Sequence, residues 1–102
     1  MRNEGTEYAI RNYLTKDISP KVSLAISELS GDTPTNMNLV SDRVYYFIEA
    51  DAKFIFDDQT IEVETDSVLF VPANTNYKMS GRFRAVLINA PGFDVTTEVF
   101  GK

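Results

Sequence analysis

The groups able to do chemistry in this chain are phenols, carboxamides, carboxylates and guanidiniums, because none of its 102 residues is histidine or cysteine. That removes the usual ligands of zinc, iron and copper, the thiol nucleophiles and the ordinary proton shuttle near neutral pH. The acids Asp57, Asp58, Glu62, Glu64 and Asp66 cluster in sequence. Their spacing fits no calcium loop and singles out no pair for hydrolysis, so a solvated edge that discourages strand pairing is the expected role. Lys78, Arg82 and Arg84 form the one basic cluster, beside Tyr77 and Phe83. Three charges on an acidic domain read as a solvated strand face rather than a nucleic-acid contact. No glycine loop for phosphate and no nucleophile elbow is present.

Composition narrows the class further. The length suits one domain, residues 1–102, and 43% apolar with 12% aromatic content is enough for a core. With 10 basic against 15 acidic residues, the formal charge of −5 repels phosphate backbones and anionic headgroups. Neither nucleic acid nor a membrane is an expected partner. No apolar run approaches the roughly 20 residues that span a bilayer, and the opening residues Met1 to Gly5 lack a signal-peptide stretch. A soluble cytoplasmic protein is expected, and the lack of cysteine fits a reducing compartment.

The elements that must position any site read as strands. Val22, Leu24 and Ile26 alternate with Ser23, Ala25 and Ser27, the period-two pattern of a half-buried strand. Ser30 to Thr35 collects loop residues before Asn36 to Val40 resumes an extended pattern. Val44 to Ile48 and Lys53 to Phe56 predict two short β-branched and aromatic strands, and Asp57-Asp58-Gln59 reverses the chain into Thr60 to Glu64 as a hairpin. Val68 to Val71 is another strand, closed by Pro72 and a polar loop, and Arg82 to Ile88 is a later one. No sustained 3.6-residue period is visible, so little helix is expected. Six or more short strands imply an all-β sandwich or barrel. Residues 1–20 read either as an arm crossing to a partner subunit or as a strand covering one barrel edge.

Val44 to Ala50, the Asp57-Asp58 turn and Asp66 to Tyr77 resemble the cupin family, with a likeness covering roughly Val22 to Phe93. The resemblance implies a double-stranded β-helix, a jelly-roll barrel. The family's first motif reads Gly, five residues, His-x-His, three or four residues, Glu, six residues, Gly. Asn36 and Asn38 fall at the two histidines, Arg43 at the glutamate and Ala50 at the closing glycine, while Gly31 is one residue off its place. The second motif reads Gly, five residues, Pro-x-Gly, two residues, His, three residues, Asn. Asp66 stands for its first glycine, Pro72 matches, Asn74 stands for the second glycine, Tyr77 falls at the histidine and Gly81 at the asparagine.

The resemblance thus brings Asn36, Asn38, Arg43 and Tyr77 to the place where related proteins keep a metal, with Tyr45 on the same strand face as Arg43. Carboxamides, a phenol and a guanidinium are poor ligands for a transition metal, so no metal and no cofactor are expected. The guanidinium fork suits a carboxylate, and the amides can orient a small polar molecule. Asn89, at the end of the last strand, could add a polar group. Three functions follow: a metal-independent binder of a small polar or anionic metabolite, non-catalytic; a metal-free isomerase or lyase acting on a sugar or keto acid through Tyr77 and Arg43; or a structural dimer with a filled barrel, Arg43 being paired internally and the asparagines serving loops. Val44, Tyr46 and Ile48 give the barrel an outer apolar face, which predicts a homodimer through sheet packing, as in many cupins.

Overall fold

A computed structural model describes residues 7–15, 17–18, 20–92 and 98–100, the last three as backbone. Its elements are β1 (Glu7–Leu14), β2 (Ser23–Asp32), β3 (Asn36–Asn38), β4 (Asp42–Phe56), β5 (Thr60–Glu64), β6 (Val68–Val71), β7 (Tyr77–Ala90) and β8 (Glu98–Phe100). No helix occurs among the described residues, and every pairing is antiparallel. The strands form one coiled sheet ordered β1-β2-β7-β3-β8, with β4 pairing β5, β6 and β7. This is the jelly-roll barrel of a double-stranded β-helix. Residues 1–6 of the N-terminal arm lie outside the described residues, whereas 7–14 form an edge strand on β2.

The two long strands, β4 with 15 residues and β7 with 14, hold the barrel together by running side by side through both of its sheets. Here the structure corrects the sequence expectation of two short strands at 44–48 and 53–56. Glu49, Ala50 and Asp51 have poor strand propensity, but β7 on one flank and β5 on the other supply the hydrogen bonds that keep them extended. A bulge between Phe47 and Glu49 then shifts the inward phase, from Arg43, Tyr45 and Phe47 before it to Ala52 and Phe54 after it. The last strand likewise begins at Tyr77 rather than Arg82 and ends at Ala90 rather than Ile88.

A second difference concerns β2. Its buried side is Ser23, Ala25, Ser27 and Leu29, while Leu24 and Ile26 lie half-buried on the outer face. The reason is volume. The inner surface beside β2 is taken up by the rings of Tyr45, Phe47, Phe54 and Phe83, which pack against one another at centroid distances of 4.9 to 6.2 Å. Next to them only small side chains fit, and the larger aliphatics go outward. Fully burying each such ring contributes roughly 2–3 kcal/mol, so this cluster is the main apolar stabilisation of the barrel.

The sheet turns its corner where β2, β7 and β4 lie side by side. Gly31 faces Gly81 across the β2–β7 pair, with φ of 124° and 117° respectively, and Gly81 also faces Ala52 of β4. A Cβ on Gly81 would sit 2.6 Å from the Asp51 carbonyl oxygen and 2.7 Å from Ala52 Cα, so the strands can approach this closely only because no side chain intervenes.

A buried polar cluster as the candidate functional site

Side chains paired across the sheet point to the same side, so rows of register partners define the inner wall. One row is polar over three strands, Ser23 of β2, Asn89 of β7 and Arg43 of β4, all buried, and ends on the apolar Val71 of β6. Asn36 of β3 and Tyr77 of β7, themselves register partners, face it. Arg43 Nε donates to Asn89 Oδ1 at 2.7 Å, and its NH1 donates to Tyr77 OH at 2.7 Å and to Asn36 Oδ1 at 3.4 Å. The Tyr77 hydroxyl is also 2.9 Å from that of Tyr45. Four of the five residues expected from sequence therefore meet in one hydrogen-bonded cluster.

Asn38, the fifth, is buried, but its side-chain oxygen accepts from the backbone N–H of Val40 and of Ser41, and its backbone carbonyl accepts from Asn74 N–H. That carboxamide oxygen serves the turn after β3, as an asparagine at a turn start ordinarily does. Asn89 is the strand-end residue that the sequence offers as a further polar group, and Ser23 is one that sequence reasoning does not single out for the site. Both are in phase with inward residues, Asn89 with Phe83, Ala85 and Leu87, and that phase is the signal by which they could have been found.

Among the described residues, Asp66 and Asn74, which the resemblance sets against glycines of the second motif, are the two non-glycine residues with positive φ, 67° and 62°. Aspartate and asparagine tolerate the left-handed conformation better than other non-glycine residues. The turn conformations persist without the glycines, and Pro72 and Tyr77 keep their places between and after them.

Electrostatically the cluster sets the Arg43 guanidinium beside the oxygens of Asn89, Tyr77 and Asn36 in a low-dielectric wall. Burial pushes the Tyr45 phenol well above its ordinary value, the neighbouring Tyr77 and Tyr8 add to this, and Arg43 opposes it. Tyr45 is thus a neutral hydrogen-bonding group and not a base. Among the described residues no three of His, Cys, Asp or Glu come together to hold a metal ion. No buried side-chain nitrogen or oxygen lacks a hydrogen bond among them.

The sequence-defined charged groups lie elsewhere. Arg82 and Arg84 are exposed, and Arg84 Nε meets Glu28 Oε2 at 3.0 Å. They border a concavity of about 860 Å³ across β1, β2, β7 and β4, which Glu7, Tyr8, Glu49 and Asp51 also line. The Arg43 cluster does not line this concavity. No described helix is long and apolar enough to cross a membrane.

No family model matches the sequence, and no curated protein matches it. Solved structures resemble it closely in fold. The nucleoside dehydratase Pac13 superposes with a TM-score of 0.79 at 18% identity, over 100% of this chain and 85% of that one. Streptomyces Pac13 with uridine gives a TM-score of 0.81 at 17% identity, covering 100% and 82%. Ectoine synthase from P. lautus gives 0.76 at 14% identity, covering 91% and 75%. The fold is that of the small cupin barrels.

Proposed function

We propose that the protein binds a small polar or anionic metabolite inside its barrel without a metal, and that it does so as a binding rather than a catalytic module. One observation carries this reading: Ser23, Asn89 and Arg43, faced by Asn36 and Tyr77, make a polar belt inside a largely aromatic and aliphatic barrel. Burying a guanidinium costs several kcal/mol, and apolar residues of similar volume often stabilise a core at least as well. A belt retained for stability alone is therefore a poor use of the position. The forked guanidinium would take a carboxylate or phosphate oxygen, with Asn36 and Asn89 orienting the rest. The similarity to a nucleoside dehydratase and to ectoine synthase supports a small molecule in the barrel and transfers neither substrate.

The test is a thermal-shift panel of uridine, small monocarboxylates and small dicarboxylates against wild type and Arg43→Met. The reading expects at least one member to stabilise wild type and not the variant. Equal or absent shifts in both would favour the filled barrel, a reading supported by the complete internal hydrogen bonding of the buried side chains. A catalytic alternative draws support from the 2.7 Å donation of Arg43 to Tyr77, an arrangement that would stabilise a phenolate. Turnover of a carboxylate substrate surviving in Tyr77→Phe would exclude it.

We also propose a homodimer. Leu24, Ile88, Val44 and Phe70 form one register row on the outer face, and Ile26, Val86, Tyr46 and Val68 the next. The first row carries no charge and the second meets one only at Arg11 of β1, the partner of Ile26, yet Val68 is 64% and Phe70 56% exposed in the single chain. A second copy of the same panel is the occupant that would cover both rows symmetrically.

A further inference from the structure

The polar cluster raises the question of how a ligand would reach it, and β1 offers an answer. This strand is bonded to the sheet through β2, and seven of its eight residues are exposed. Tyr8, Ile10 and Asn12 face Leu29, Ser27 and Ala25, all inward residues, so β1 prolongs the inner wall of the barrel out to solvent. Tyr8 spans the boundary. The residue is 45% exposed and lines the open concavity, while its hydroxyl accepts a 3.4 Å hydrogen bond from Ser27, which has no exposure at all. It also acts electrostatically on Tyr45 in the interior. Beyond it, Tyr45 meets Tyr77 at 2.9 Å and Tyr77 meets Arg43 at 2.7 Å. Three phenols thus lead from solvent to the guanidinium. Ala25, Ser27 and Ala85, the small buried residues of this part of the wall, are the ones a moving ligand would have to clear.

We infer that Tyr8 is the stopper of the barrel and a specificity-determining residue: a ligand passes beneath β1 by displacing the Tyr8 hydroxyl from Ser27, and then presents hydrogen-bonding groups to Ser27 and Tyr45. The ligand class is an anion with a hydroxylated tail, its charged end on Arg43 and its hydroxyls on the displaced phenol's former partners. The inference rests on the binding role proposed for the Arg43 cluster, and access and charge recognition can be tested apart.

The chain has no tryptophan, so tyrosine fluorescence reads the site directly. In a Tyr13→Phe, Tyr46→Phe background the emitters left are Tyr8, Tyr45 and Tyr77. Quenching by iodide, an anion, and by acrylamide, which is neutral, is compared for that background, for Tyr8→Ala and for Ser27→Ala, with circular dichroism confirming the fold. Tyr8→Ala leaves only the interior phenols, and the expected result is a several-fold rise in their iodide quenching constant over that in Tyr8→Phe, which loses the tether to Ser27 but keeps the covering ring and is equally free of emission from residue 8. Ser27→Ala, which removes the tether and leaves β1 in place, shifts the constant less and in the same direction. Quenching unchanged in both variants overturns the stopper. If both quenchers gain equally and Arg43→Met does not alter the iodide gain, the stopper stands while the anion reading of the cluster fails.

Discussion

Replacing Gly81 with alanine perturbs the corner on which the site's geometry depends. Its φ of 117° is strained for any residue with a Cβ, and the added carbon would meet the backbone of Asp51 at 2.6 Å and of Ala52 at 2.7 Å. Neither neighbour is a side-chain tip that can swing away. Holding a non-glycine residue in such a conformation costs about 1–3 kcal/mol. Forcing a methyl against packed backbone adds about 1–3 kcal/mol. Together these put Gly81→Ala about 2–6 kcal/mol less stable, a large share of the roughly 5–15 kcal/mol that holds a domain folded. In urea unfolding followed by circular dichroism, an m-value of about 1.5 kcal/mol/M places the midpoint roughly 1–4 M lower. The clash also pushes β4 from β7, so tyrosine quenching by acrylamide should increase below the transition as the Tyr45–Tyr77 contact loosens. A midpoint within about 0.5 M of wild type would mean that the β4–β7 approach is not close at this residue and would refute the account of the corner.

Four further outcomes follow from the same geometry. Asn89→Ala removes the acceptor for Arg43 Nε inside the barrel and should cost about 1–3 kcal/mol in urea unfolding; a change too small to measure would show that the bond contributes nothing there. Tyr45 is held protonated above the value near 10 at which an unfolded tyrosine ionises, so the native chain binds the extra proton above that pH. Stability is therefore complete below about pH 10 and falls as pH rises through the higher native value, and Tyr45→Phe should flatten this alkaline decline in unfolding curves taken at successive pH values. At Asn74, whose φ is 62°, glycine should be neutral or slightly stabilising and alanine destabilising by about 1 kcal/mol, and equal thermal midpoints for the two would contradict the left-handed turn. Phe70→Lys should keep the protein monomeric in size-exclusion chromatography with light scattering at concentrations where wild type is a dimer, while a wild-type monomer at micromolar concentration would remove the homodimer altogether.

Some of the site was legible from residue order because local rules governed it. Asn36, Arg43, Tyr45 and Tyr77 were placed by motif spacing and by the period-two phase of a strand, both of which survive even where no ligand residue of the family is kept. Asp66 and Asn74 carried the same information in another form, as residues able to adopt a positive φ where glycine would otherwise stand. Other features were decided between strands that lie far apart in sequence. The 49–51 segment of β4 looks like a break until β5 and β7 supply its partners. The alternation of β2 is unmistakable, yet nothing local says that its serines and alanine face inward. That side is chosen by the bulk of Tyr45, Phe47 and Phe83 on the neighbouring strands of the wall.

The same division applies to chemistry. Sequence by itself determined that any site must work without imidazole or thiol, that the chain forms strands, and which phenol and guanidinium share a face. Those conclusions depend on composition and on the two-residue period of an extended chain, which are properties of neighbouring residues. Only the tertiary structure decided that Asn89 and Ser23 complete a polar row with Arg43 and that Tyr8 reaches Ser27 from an edge strand. Those facts depend on register between strands far apart in the chain, set by packing volume, by the bulge after Phe47 and by the close approach at Gly81, whereas the bonds of the Asn38 side-chain oxygen are local to its own turn.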